Sequence, residues 1–398
     1  MEELGGVIVV GAGPVGFITA LGLARQGIKV TVIEAEPKII DSPRAAVYHP
    51  AVIQVLDKKL GILDDIRAAG VYNENFQFRD LVTGTTYKLC AGKLRDFEYP
   101  YNLHFGQETL AKIVHQYFRK LPDTEVRWNT RLTGISQDES GITATVETAE
   151  GEQQLRCDWL VGADGGRSGT RKALNLEFQG HTWPERYVAT NIYYDEFLEC
   201  GYEMANFCSH PELWCIVAII NKDNLWRVTY NEDGNISDEE ALQRIPDRLA
   251  RLVPGSQNYQ LDAAAPYRVH ERASETFRVG RALLAGDAAH VCNPVGGLGL
   301  TTGIMDANAL IDVLGAVIHG KVDEALLDYY AQERRRIFLE ITSPAASEFK
   351  RMVGESDPEK RRQDQEAFRL ASEDPEIMRQ TMMLAFQIEG RPMLGDNV

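Results

Sequence analysis

The sequence predicts an α/β protein: a doubly wound dinucleotide-binding unit, an inserted β-sheet unit and a helical C-terminal segment. Three observations carry this. A strand, glycine turn, helix, strand and acid follow in order from Gly6 to Glu34. Two later apolar strands, Trp159 to Ala163 and Ala282 to Ala285, each run into an aspartate with a glycine beside it. Between these pieces, residues 73–101 and 187–269 change to β-type runs that are not doubly wound.

The first unit organises the rest. Val7 to Val10 read as a buried strand, Gly11, Gly13 and Gly16 form the G-x-G-x-x-G turn, and Val15 to Gln26 form a helix that Gly27 caps. Gly11 permits the tight turn, Gly13 lets a pyrophosphate approach the backbone at the positive helix end, and Gly16 packs helix on strand. Pro14, Val15 and Ala35 flank that seat. Glu34 ends the strand Ile28 to Ile33, at the spacing of an acid that accepts from a ribose 2′-hydroxyl and repels a 2′-phosphate. FAD and NAD use the same device, so this stretch leaves the choice between them open.

Length and composition set limits. The 398 residues suffice for two domains or one with an insertion. A formal charge of −16 argues against nucleic acid or an anionic membrane as partner. Met1-Glu2-Glu3 leads straight into the first strand with no signal-peptide pattern, and no uninterrupted apolar run of bilayer length is expected. Six cysteines without a C-x-x-C pair or zinc spacing read as free thiols in a reducing cytoplasm, with no metal site.

Along the chain, Asp41 to Pro50 is a polar loop holding Arg44 and His49, and Pro50 opens a helix over 51–60. Residues 73–101 form antiparallel strands around a Thr83-Gly84 turn. Gln107 to Lys120 is an amphipathic helix with Leu110, Ile113, Val114, Tyr117 and Phe118 on one face. Strands follow at 125–131, 141–147 and 153–156, then at 188–194, 213–220 and 226–230. From Leu300 the chain is mostly helical, with Leu300, Ile304, Ala307, Leu310, Ile311 and Leu314 inward. Asp357-Pro358 and Asp374-Pro375 each read as a cap followed by proline at the first helical position, and Met378, Met382 and Met383 as helix packing.

Gly11, Asp164 and Asp287 all lie just past strand ends, where ligands of parallel sheets sit. The block from Gly286 to Ala307 is the most informative. Its glycines at 296, 297 and 299 let backbone approach something flat, and the following helix points its N-terminus there, suiting the anionic reduced ring of a flavin. His290 reads as a local structural hydrogen bonder.

On Gly11, Gly13, Gly16 and Glu34, on Asp164, Gly165, Ser168 and Arg171 (D-G-x-x-S-x-x-R), and on Arg281 to Pro294 around Gly286-Asp287, the chain from about Val7 to Leu314 resembles the single-component FAD-dependent aromatic hydroxylases typified by para-hydroxybenzoate hydroxylase. The resemblance implies a glutathione-reductase-like Rossmann FAD domain (1–72, 103–178, 272–325), an inserted β-sheet substrate domain (73–102, 179–271) and C-terminal helices (326–398). It implies Glu34 on the adenosine ribose, Arg44 and Gln107 near flavin and pyrophosphate, Asp287 on the ribityl chain, and Pro294, Gly296, Gly297, Leu298, Gly299 and Leu300 along the isoalloxazine. Asp164 and Arg171 are associated with FAD and with NADPH or NADH, the co-substrate. Tyr193, Arg227 and Tyr230 stand on the sheet where such enzymes place substrate-orienting side chains, with sheet packing the alternative for each. Many members have Asn where this chain has Thr301, and Gln at Leu298 and Met305.

The implied activity is oxygen transfer from a flavin C4a-hydroperoxide to an electron-rich aromatic or indole-like molecule, in aromatic degradation or secondary metabolism. The enzyme is expected to be cytoplasmic, a monomer or homodimer. A disulfide reductase would show a second glycine fingerprint and a C-x-x-x-x-C, and a halogenase a W-x-W-x-I-P; the chain has neither. A non-catalytic flavin-binding protein is the rival from another class, separable by NAD(P)H turnover.

Overall fold

The run Val7–Val10 is apolar throughout because both of its faces are buried. Val7 and Val9 pack toward helices, Ile8 and Val10 toward a second sheet. The computed structural model describes residues 1–41, 46–94 and 96–394. Val7–Val10 lies inside a six-stranded sheet ordered Arg278–Val279, Ala282–Leu284, Trp159–Gly162, Val7–Val10, Val30–Ile33, Thr124–Arg127. Neighbours are parallel except at the short Arg278–Val279 edge. The three strand ends that the sequence brings into relation therefore share one sheet edge.

Helix Pro14–Ala24 covers one face and packs so closely on helix Leu298–Ile318 that a Cβ at Gly22 would come within 2.3 Å of Ile311. Helix Gln107–Phe118 joins them, burying Leu110, Val114 and Phe118, with Ile113 and Tyr117 partly covered. The other face carries a four-stranded sheet of Glu2–Glu3, Gly151–Cys157, Gly141–Thr148 and Arg131–Asp138. The expected single strand over 125–131 is two. The chain turns at Asn129, at φ +54°, so that Thr124–Arg127 closes the first sheet and Arg131–Asp138 begins the second.

An eight-stranded sheet is ordered His290–Val291, Gln260–Ser274, Phe178–Tyr193, Leu225–Glu232, Cys215–Ile219, Ala205–Ser209, Asn75–Asp80, Thr86–Cys90. Phe178–Tyr193 starts ten residues earlier than the expected strand at Val188. Its first half is largely exposed and polar, and a register shift between Thr182 and Arg186 accommodates Pro184. A small sheet of Val47–Tyr48, Asn102–His104 and Val71–Asn73 lies beside it, with the buried His104 Nδ1 donating to the Ile219 carbonyl at 3.0 Å.

In the C-terminal segment, Asp357 and Asp374 cap their helices, each accepting a backbone N–H at 2.8 Å. Phe368 stacks on Phe78 at 4.3 Å, so these helices pack on the eight-stranded sheet. Met378 is buried and Met383 exposed. Helix Leu298–Ile318 is by length and composition apolar enough to cross a membrane, with mean hydropathy 1.3, yet Asp306 and Asp312 interrupt it and 78% of that stretch is buried inside the protein. Its apolar surface serves the core.

Candidate flavin and substrate site

At the glycine turn, Glu34 closes the loop itself. Its Oε2 accepts from Ala12 N at 2.8 Å and its Oε1 from Glu36 N at 3.0 Å. Gly11 has φ +107° and no room, since a Cβ would lie 2.5 Å from the Ala163 carbonyl oxygen; at Gly16 it would lie 2.0 Å from the Gly11 carbonyl. Gly13 is different. Nothing comes within 4 Å of its would-be Cβ, and it caps helix Pro14–Ala24 without a side-chain hydrogen bond. Pro14, Val15 and Ala35 are half-buried around it. Uncapped N–H groups facing open space are what a pyrophosphate needs.

A second uncapped helix start faces the same sheet edge. Gly296 and Gly297 have φ +93° and +69°, and Gly297 precedes helix Leu298–Ile318 without a side-chain cap or an acid in the first turn. Leu298 is buried, Gly299 and Leu300 half-buried, and Pro294 exposed at the start of the loop. The Thr301 and Thr302 hydroxyls turn back to the carbonyls of Gly297 and Leu298, leaving the N–H groups at the helix start to act on a ligand. Gln107 is half-buried at the start of its own helix, behind Gly106, which brings no side-chain cap. Both seats fit FAD: phosphates at Gly13, a flavin ring at Gly297.

Asp164 and Arg171 are inward-facing. Asp164 accepts from Ser168 Oγ at 2.6 Å and from Thr170 N at 2.9 Å; Ser168 in turn caps Arg171 N. Arg171 is 4% exposed, donates to the carbonyls of Ala288 and Gly166 at 2.8 and 2.9 Å, and lies 3.7 Å over the Phe178 ring. Burial lowers its pKa. Asp287 is exposed in the next turn. Arg44 lies outside the described residues.

Sequence reasoning missed a buried cluster beneath that turn. Asp306 Oδ2 accepts from Gly286 N at 2.9 Å and faces His290 Nε2 at 2.7 Å, while Oδ1 accepts from Arg334 Nε at 2.7 Å. Burial pushes the Asp306 pKa up, but His290 and Arg334 outweigh it and hold it below the usual range. His290 is thus a structural hydrogen bonder, as expected, stacked on Phe338.

On the eight-stranded sheet, alternation separates the three sequence candidates. Arg227 pairs in register with Asn191, and Tyr193 with Leu225, so Tyr193 sits on Arg227's face, half-buried at the strand end. Tyr230 turns to the other face, buried with Trp226 and Val228 in a separate core, which removes it from Arg227's surroundings. Arg227 Nε donates to Asn191 Oδ1 at 3.1 Å, while its Nη1 is buried without a hydrogen-bond partner among the described residues. Burial lowers its pKa to about 10, opposed by the fields of Tyr267, Glu108 and Tyr48. Tyr48 Oη, Asn102 Oδ1 and Tyr187 Oη are also buried and unpartnered among the described residues. His49 links the two halves. Its Nε2 donates to the Gly296 carbonyl at 3.0 Å, and the nearby Asn102 side chain favours its charged form against the burial that lowers its pKa. Neither Asn191 nor Tyr48 was legible beside Arg227, because strand register and tertiary packing bring them there. Among the described residues no group of three His, Cys, Asp or Glu is placed to hold a metal.

Residues 6–344 match the FAD binding domain family, and the chain belongs to it. It is 43% identical over 401 residues to para-nitrophenol 4-monooxygenase of Pseudomonas sp. (strain WBC-3), covering 99% of this chain and 98% of that one. It is 42% identical over 344 residues to 6-hydroxy-3-succinoylpyridine 3-monooxygenase of Pseudomonas putida (strain DSM 28022 / S16), covering 86% and 87%. The crystal structure of p-nitrophenol 4-monooxygenase from Pseudomonas putida DLL-E4 superposes with TM-score 0.94 at 42% identity, covering 98% of this chain and 100% of that chain. The protein is an FAD-dependent aromatic monooxygenase with NAD(P)H as co-substrate, a reading these relatives favour over the reductase, halogenase and non-catalytic ones.

Proposed function

We propose that the chain hydroxylates a small phenol or hydroxylated heteroaromatic bearing a second oxygen-rich substituent, with the ring held between the Gly296–Leu300 turn and the sheet face of Arg227. The observation that carries this is the buried guanidinium Nη1 with no partner among the described residues. A buried cation left unsatisfied is costly unless a ligand completes it. Two relatives are named for substrates that combine a ring hydroxyl with a nitro or a succinoyl group, and an arginine fork suits either.

FAD, reduced by NAD(P)H, would supply O2 activation, with one atom of O2 passing to the ring and the other leaving as water. The chain supplies position and charge. Glu34 takes the adenosine ribose, the helix start behind Gly13 the pyrophosphate, and Asp287 the ribityl chain; the N–H groups of Leu298, Gly299 and Leu300 favour negative charge on the ring edge. Arg227, a cation within reach of an aryl hydroxyl, lowers that hydroxyl's pKa and so favours the phenolate. Charge pushed into the ring raises the nucleophilicity of the carbon that accepts oxygen. The six- and four-stranded sheets serve as FAD domain and the eight-stranded sheet as substrate domain, although its strands Gln260–Ser274 and His290–Val291 reach into the segment 272–325 that the sequence implies for FAD. NAD(P)H, lacking a fingerprint of its own, engages transiently in the cleft. We also read the enzyme as a cytoplasmic monomer or homodimer, consistent with six free cysteines.

The test is NAD(P)H oxidation with para-nitrophenol, 6-hydroxy-3-succinoylpyridine and a panel of substituted phenols, with product masses under labelled O2. A phenol in the panel stimulates turnover and gains one labelled oxygen. Failure of every hydroxylated ring to stimulate, beside success with an unsubstituted indole, would overturn the substrate class.

A further inference from the structure

The turn Gly286–Ala288 is held at both ends by buried charged side chains. At its start, Gly286 N donates to Asp306 Oδ2 at 2.9 Å. At its finish, the Ala288 carbonyl accepts from Arg171 Nη1 at 2.8 Å. Asp306 is fully buried and Arg171 nearly so, whereas Asp287, between the two anchor points, is exposed. Backbone freedom here is already small. Gly286 has φ +59°, and its would-be Cβ touches Val15 at 3.0 Å.

Asp306 is fixed in turn. Arg334, also fully buried, donates Nε to Asp306 Oδ1, Nη2 to the Thr302 carbonyl at 3.2 Å, and Nη1 to the carbonyls of Ile388 and Glu389 at 2.9 and 3.0 Å. A carboxylate in the middle of an apolar core helix is costly, and bulk stability alone would be served as well by an apolar residue. Its three partners give it a directional task. One of them is the turn that presents Asp287.

We propose that Asp306 and Arg171 are positioning residues that clamp the Gly286–Ala288 turn from its two ends and so aim Asp287 at the ribityl chain of FAD, with Arg334 locking Asp306 to the C-terminal helices. The proposal rests on the reading of Asp287 as an FAD ligand. It moves Arg171 from a co-substrate contact to the frame of the flavin site. Its effect on NAD(P)H is indirect.

The experiment is a double-mutant cycle on FAD affinity, read from flavin fluorescence released on dilution of the full-length holoenzyme. Asp306→Asn keeps the side chain's shape and removes its charge; Arg171→Met keeps length and removes the fork. Each raises the FAD dissociation constant about tenfold, as does Asp287→Ala, the loss expected for one charge-assisted hydrogen bond. Asp287→Ala combined with Asp306→Asn is then no weaker than Asp287→Ala alone, because a positioning residue has nothing left to aim. Tyr330→Phe removes a buried hydrogen bond to the Leu284 carbonyl in the same core and is the control for general loosening. It lowers the unfolding midpoint and leaves FAD affinity within twofold. If Asp306→Asn does not fold, the same cycle runs on Arg171→Met. Additive losses, or a Tyr330→Phe loss as large as that of Asp306→Asn, overturn the clamp. An unchanged FAD affinity in Asp287→Ala alone would instead overturn the ligand assignment beneath it, a distinguishable result.

Discussion

Arg227 carries a charge into the sheet face with only Asn191 Oδ1 as a hydrogen-bond partner among the described residues, so its removal should be felt by the substrate before the fold. Arg227→Gln is expected to raise the KM of a phenolic substrate about ten- to a hundredfold, the loss of roughly 1.5–3 kcal/mol for a hydrogen bond to a charged group. Arg227→Lys should recover part of this, since lysine keeps the charge and loses the planar fork. Steady-state kinetics checks both, and an unchanged KM in the glutamine variant would remove Arg227 from the substrate site. His104 yields a pH prediction. Burial lowers its pKa to about 4, against about 6.5 for a free imidazole. The unfolded chain therefore binds the extra proton first, and stability falls as pH drops from about 6.5 toward 4, by roughly 3 kcal/mol at most. Unfolding midpoints across that range should decline in the wild type and less steeply in His104→Gln. The family resemblance offered Arg227 together with Tyr230, three residues on, which cannot share a strand face with it. Asp306 and Arg334 were not legible, because Asp306 meets Gly286 from 20 residues away and Arg334 across 28.

Elements built from consecutive residues were the readable ones. Strand, turn, helix and acid from Val7 to Glu34 are local, whereas the crowding at Gly11 and Gly22 comes from Ala163 and Ile311, far along the chain. Gly16 and Gly13 stand in contrast. Gly16→Val would drive a side chain into the Gly11 carbonyl oxygen at 2.0 Å, and this variant should fail to fold. Gly13 has φ −78°, ordinary for any residue, and open space at its Cβ. Gly13→Val should therefore fold with wild-type circular dichroism yet purify without flavin; a yellow Gly13→Val protein would mean that the pyrophosphate lies elsewhere. Gly297→Val tests the other helix start. Its φ of +69° is strained for a branched residue, and its Cβ would sit 3.4 Å from His49 Nε2, so turnover should suffer more than the unfolding midpoint. The hidden elements were those whose composition misleads. The outer half of Phe178–Tyr193 is polar and interrupted by Pro184, and the break at Asn129 carries no glycine.

At the scale of the molecule, the proposed site draws its residues from three sheets. The six-stranded sheet presents the glycine turn and Asp287, the eight-stranded sheet Arg227, and the small three-stranded sheet Asn102, with Tyr48 beside His49. Reduced flavin formed without a substrate would be spent on hydrogen peroxide, so an efficient enzyme has to make reduction wait for the ring. In the site proposed above, a route for that signal is His49, which donates to the Gly296 carbonyl and has the Asn102 side chain near its ring. A substrate that engages Asn102 or Tyr48 shifts the population of arrangements at Gly296 through one imidazole, by as much as its affinity differs between them. The wild type should therefore oxidise NAD(P)H slowly alone and rapidly with substrate, and His49→Ala should narrow that ratio while releasing more peroxide per NAD(P)H consumed. Stopped-flow bleaching of the visible flavin band, with and without substrate, reads the ratio directly. Equal bleaching rates in the wild type would remove substrate gating altogether, whereas a wild-type ratio preserved in His49→Ala would leave gating intact and route it through some other contact between the sheets.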